Sequence, residues 1–348
     1  SFLINAKILG LIPVIFFILF YFFAEQRKHN YIKQKINFII LYLIFIIFFS
    51  YILWPYLWND PINNLYYAFT NMLRSHESLT VINYYFGEHI SSKLVAWHYR
   101  PVWLLTTTPF FIIILFTVGT IIMLSRLWSY VSKVFEYQVF LTKEEFLDYF
   151  LFILFFLTFF ITIKLNGSKF GGWRHLYFLY PIVVYFTIFT IHKIYLISSF
   201  KVIKILQFII LLNVVYLLIW NVKNHPNQYV FFNSLIKNYA LEKFDLDMWG
   251  ISHKQSLDKI LEIDTSKNIT VYAKGYTTIR DAYLFLNESE KKRIKITDFE
   301  DANYVIDIKM NRVRKNMVIN SIDFDKFFDI SVDEMPITTV YKRKNIIN

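Results

Sequence analysis

The chain has 348 residues, 56% of them hydrophobic and 20% aromatic, with a mean hydropathy of +0.39 and a formal net charge of +11. That balance lies outside the range of soluble globular domains and identifies a membrane protein. Cysteine is absent, which excludes disulfides and thiolate metal sites, and the eight histidines show no paired ligand spacing, so neither a metal nor another cofactor is expected.

Six apolar runs have or approach the length that crosses a hydrocarbon core: residues 3 to 23, 36 to 54, 109 to 125, 147 to 164, 177 to 192 and 202 to 220. The first starts almost at Ser1 with no basic stretch and no small-residue cleavage site, so it does not read as a signal peptide. After the second run, "NDPINNLYYAFTNMLRSH" places Asp60 as an N-cap and Pro61 at the first helical position. Ile62, Leu65, Tyr66, Phe69, Met72 and Leu73 then share one helical face, which predicts a helix lying on the membrane surface.

Beyond about Asn224 the apolar runs stop. "SHKQSLDKILEI" reads as a helix opened by a capping box of Ser252 and Gln255. "NITVYAKG" and "NYVIDIK" read as strands with "TTIRDAYLFLNE" as a helix between them, and "ITTVYKRK" as a closing strand. Gly275 stands alone, so this tail carries no glycine-rich phosphate loop. The expected fold is mainly α: a polytopic transmembrane helix bundle over residues 1–220, with an outer loop at 55–108, followed by a small extramembrane α/β tail over 221–348.

Charge placement orients that bundle. Arg27, Lys28, Lys33, Lys35, Arg126, Lys133, Lys143, Lys193, Lys201 and Lys204 fall in one set of loops, against Arg74, Lys93, Arg100, Lys164, Lys169 and Arg174 in the other. The richer set belongs in the cytoplasm, so the 55–108 loop, residues 165–176 and the tail are expected on the outer face. The cations form no stripe with interleaved aromatics; topology and anionic membrane lipid account for the charge, and nucleic acid is not an expected partner.

Two outer clusters concentrate polar chemistry. The first joins "LWPYLWNDP" (53–61) to "WHYRPVW" (97–103); the second is "NGSKFGGWRHLYFLYP" (166–181), in which Gly167, Gly171 and Gly172 permit close backbone approach. Interfacial anchoring and snorkelling explain any one of these residues. Together they also suit a lipid-linked phosphate: arginine offers a planar fork of donors, lysine a mobile point charge. The candidate substrate-binding residues are Asp60, His98, Tyr99, Arg100, Lys169, Arg174 and His175, with Asp60 read first as a helix cap.

"YLWNDP", "WHYRPVWLLTTTP", "GGWRHLYFLYP", "HPNQYVFFNSL" and "DLDMWGISHKQSL", in that order along nearly the whole chain, resemble bacterial membrane glycosyltransferases of the protein mannosyltransferase type, family 39 with the GT-C fold. The resemblance implies a multi-pass enzyme of the bacterial inner membrane. It would take a sugar from a polyprenyl-phosphate donor and place it on a lipid, glycan or protein acceptor at the outer face. It further implies an acidic catalytic base in a first outer loop. Because the opening "INAKILGLIP", with Lys7, resembles a middle helix of the family, that base is expected upstream of Ser1. A transporter or flippase of lipid-linked sugars is the competing class, yet it predicts broken helices and related halves, and no half of the chain resembles the other. A membrane anchor that merely displays the tail would leave both outer clusters unexplained.

Overall fold

The computed structural model describes residues 10–23, 30–78, 80–134, 143–164, 169–273, 276–309 and 323–344. Lys7, Gly167 and Gly275 lie outside the described residues. The chain divides into two compact units: Ser1–Thr80, Ile112–Lys169 and Arg174–Ile197 form the first, and Val81–Phe111, Phe170–Trp173 and Ser198–Asn348 the second. Residues 81–111 therefore pack with the tail, a partition that no sequence boundary marks.

The described residues include five helical segments long and apolar enough to cross a membrane: Lys33–Leu53, Phe110–Ser129, Glu144–Lys164, Arg174–Ile197 and Phe200–Lys223. The earliest apolar run is helical over α1 (Leu11–Phe23). Helix α2 (Asn30–Leu53) contains a span only 6% buried, so its apolar side chains require lipid around them. Helix α3 (Pro61–Ser78) is the amphipathic helix expected in the outer loop. Asp60 caps it as read: Oδ1 accepts the Asn63 backbone N–H at 3.3 Å and Oδ2 the Asn63 amide at 2.7 Å.

In the second unit, strands β1 (Ile82–Tyr85) and β2 (Glu88–Ser91) form a hairpin that precedes α4 (Tyr99–Thr107). The long helices α5 (Phe110–Val134), α6 (Lys143–Lys164) and α7 (Tyr180–Ile197) follow. Within the first unit α5 and α7 cross closely at Gly119: a Cβ there would lie 2.7 Å from the Phe186 carbonyl oxygen. Thr190 Oγ1 donates across this crossing to the Leu115 carbonyl at 2.7 Å. Small residues allow such an approach where hydrocarbon surrounds the helices and supplies no hydrophobic drive. The buried Asp148 on α6 joins three helices, accepting from Tyr185 Oη at 2.5 Å and from Arg126 at 3.5 Å. An ionisable group at that depth is costly unless it is paired in this way.

Helix α8 (Phe200–Lys223) leads through α9 (Lys237–Lys243) and α10 (Ser252–Ile263) into the tail. The tail continues with β3 (Ile269–Ala273), α11 (Tyr276–Leu284), α12 (Glu288–Lys291), β4 (Ile294–Ile296), β5 (Tyr304–Ile308), β6 (Phe324–Val332) and β7 (Met335–Arg343). Its five strands take the order β4-β3-β5-β7-β6, with β3 parallel to both neighbours and β7 antiparallel to β5 and β6. Leu257 and Ile260 of α10 pack over Val271, Ile306 and Val340 of the sheet.

The capping box read at Ser252 is not formed. Ile251 occupies the N-cap and makes no side-chain cap, while the Ser252 hydroxyl is held by Asp247 and Thr338 and Gln255 Oε1 accepts from Asn227 at 2.7 Å. Buried partners outside the helix outcompeted the local pattern. A capping box does form at Asn287 and Glu290, opening α12.

Candidate functional site

The second unit builds the "WHYRPVW" cluster from three separated segments. Its hairpin turns on Phe86 and Gly87, both in the left-handed region at φ +53° and +86°. Two-residue hairpins favour Asn-Gly there, and a bulky residue in that conformation costs about 1–2 kcal/mol. Rings offset part of this: Phe86 lies 4.4 Å from Tyr85 and 5.7 Å from Phe244, centroid to centroid.

Tyr85 Oη and His98 Nδ1 share a hydrogen bond of 2.8 Å. Tyr99 Oη donates to Asn83 Oδ1 at 3.1 Å and accepts the Gly172 N–H at 3.1 Å. Burial pushes the Tyr99 phenol well above its ordinary range, opposed by that backbone N–H. Gly172 needs to be glycine, since its φ is +67° and a Cβ would already touch the Trp103 ring at 3.4 Å. Trp173 Nε1 donates to Thr107 Oγ1 at 3.0 Å, tying the "GGW" motif to the far end of α4.

Asn233, from "FFNSL", closes that end. Its side-chain amide donates to the carbonyls of Leu105 at 2.6 Å and Thr108 at 3.0 Å, and its backbone N–H donates to Thr106 at 2.9 Å. These carbonyls are among those a helix end leaves without internal partners. The helix is thus fixed at both ends, and with it Arg100, which is only 7% exposed. Desolvation lowers the Arg100 pKa below the usual guanidinium value. A side chain reaching for water would not be buried to this degree, so the snorkelling explanation fails for Arg100.

Asp245 and Asp247 organise the adjoining loop. Asp245 Oδ2 accepts the Tyr84 N–H at 3.3 Å; the fully buried Asp247 accepts from the Gly250 N–H at 2.7 Å and from the hydroxyls of Tyr229 and Ser252. The carboxylate of Asp247 is saturated by these donors and serves as a structural node.

The first unit holds the remaining candidates. Lys169 is buried, and Arg174 Nε donates to His175 Nε2 at 3.4 Å on the 3-10 turn Arg174–Leu179. Asp60 is committed to its cap. Beside it, α2 and α3 enclose an apolar cleft of about 630 Å³ lined by Ile47, Ser50, Trp54, Leu57, Ile62 and Phe69 among others. Among the described residues, no group of three or more His, Asp or Glu side chains is placed to hold a metal.

Sequence reasoning missed Asn83, Tyr85 and Asn233. The hairpin had a readable signal in "NYYFGEHIS", a β-rich run with a glycine turn. Asn233 had none, because its partners are more than a hundred residues away. Comparison with protein-family models, curated proteins and solved structures finds no match to this chain.

Proposed function

We propose that this chain works in a membrane glycosyltransferase that moves a sugar from a polyprenyl-phosphate donor to an acceptor hydroxyl at the outer face of the membrane. The observation that carries the reading is Arg100, a guanidinium buried on a helix braced at both ends and beside the half-exposed His98. A buried, pre-positioned cation suits charge that develops on a departing phosphate, because it needs no reorganisation at the moment of reaction.

In the reaction, a carboxylate removes the proton from the acceptor hydroxyl as its oxygen attacks the anomeric carbon. The bond from that carbon to the phosphate oxygen breaks, and the electron pair leaves on the polyprenyl phosphate. Arg100 stabilises that anion. No base is assigned among the described residues.

The test is transfer of radiolabelled sugar from polyprenyl-phosphate sugar in vesicles containing the full-length protein. Arg100→Lys retains charge and loses paired donors, so donor use should fall about tenfold to hundredfold with membrane insertion unchanged. Arg174→Lys is assayed in parallel as the second arginine of the outer clusters. Normal donor kinetics in the Arg100 variant would return that residue to a packing role. Sugar lipid crossing the bilayer without transfer would instead favour a flippase.

A further inference from the structure

The Phe86 turn is built against its own backbone preference. A hairpin selected for stability alone would place Asn or Gly at φ +53°, yet a phenylalanine stands there and remains 46% exposed. Next to it, Phe86 and His98 lie 6.1 Å apart, and Trp97, 64% exposed, meets the His98 ring edge-on at 5.7 Å. His98 has Nδ1 engaged by Tyr85, while its Nε2 has no hydrogen-bond partner among the described residues.

Insertion of this tip into hydrocarbon is disfavoured by its neighbours. A Cβ on Gly87 would lie 3.3 Å from the Glu242 carbonyl oxygen and 3.7 Å from Lys243 Nζ, and Glu88 beside it is exposed. An ammonium and a carboxylate flanking the turn keep it in water. Two exposed rings in water, each about 6 Å from the same imidazole, match a ligand that is apolar in part and rich in hydroxyls at its rim.

We propose that Phe86, Trp97 and His98 form a platform for a saccharide ring, whose C–H groups pack against the two aromatic rings while a ring hydroxyl bonds His98 Nε2. This rests on the glycosyltransferase reading and adds to it the residues that hold a sugar.

The experiment uses the full chain in nanodiscs and saturation-transfer difference NMR with three probes: methyl α-glucopyranoside, methyl α-mannopyranoside and methyl α-galactopyranoside. At least one should receive saturation on its ring C–H protons. Phe86→Gly relieves the strained backbone and keeps the turn, so its loss of signal reports the ring and not misfolding. The signal should fall about threefold to tenfold in Phe86→Gly and in Trp97→Leu, as expected for one aromatic contact. Absence of saturation for all three probes, or equal saturation in parent and variants, overturns the platform. So does quenching of a dye on Phe86→Cys by spin-labelled lipid, which would place the tip in the bilayer. Binding without sugar transfer would sustain the platform and remove the glycosyltransferase. Transfer with unaltered kinetics in Phe86→Gly would remove the platform alone.

Discussion

Replacing Tyr99 by Phe removes a single oxygen from the centre of the second unit and leaves its volume almost unchanged. That oxygen accepts the Gly172 N–H and donates to Asn83 Oδ1, both at 3.1 Å, in a place where Tyr99 and Asn83 are buried. Without it the Gly172 N–H loses its acceptor and Asn83 loses one donor. A buried polar group left unmet costs about 1–3 kcal/mol, and Asn83 can shed part of its share by shifting, so the expected loss is about 2–4 kcal/mol. At about 2–4 °C per kcal/mol for a unit of this size, the unfolding midpoint followed by intrinsic tryptophan fluorescence should drop by about 5–15 °C. Trp103 and Trp173 flank the site and report on it directly. Tyr239→Phe, at an exposed position, serves as the control and should be silent. A Tyr99→Phe midpoint indistinguishable from that control would refute the claim that this oxygen joins the hairpin, α4 and the "GGW" motif.

Gly119→Ala should destabilise the helix bundle by about 1–3 kcal/mol in detergent titration, since the new methyl meets the Phe186 carbonyl oxygen at 2.7 Å and backbone must move. Adding Thr190→Ala removes only the hydroxyl at 2.6 Å, so full rescue by that second change would contradict the proposed close crossing. In a chain without native cysteine, Ser75→Cys and Ser289→Cys should both be labelled from outside intact cells, and labelling of one alone would break the proposed topology. Asp264 is held below the ordinary carboxylate range, first by its hydrogen bonds from Ser266 and then by Tyr304 and Lys342. Its contribution to the tail is therefore present above about pH 4 and lost as pH falls through the lower folded value. The stability gap between parent and Asp264→Asn, read by amide exchange in β3 and β5, should be full at neutral pH and close in acid. A gap that stays constant from pH 7 to about pH 2 would show that Asp264 does not titrate in this way.

Much of the fold follows from local signals. Unbroken apolar runs specify the membrane-length helices because lipid offers the backbone no partner other than itself. The pairing of Asp60 with Pro61 and the apolar face behind them specify α3, since cap, start and face all lie within one short segment. Alternation in "ITVYA" and "YVIDI" specifies two strands, and these do pair, in parallel, at the centre of the tail sheet. The candidate site is different in kind. That Arg100 is buried, that Asn233 caps α4, that the Ser252 hydroxyl meets Thr338 and does not cap its own helix, and that Phe86 packs on Phe244 in its left-handed turn are decided by atoms far apart in the chain. A periodic pattern says which face of an element avoids water. Which donor finds which acceptor inside depends on loops closing and segments meeting, and only the tertiary structure determines that.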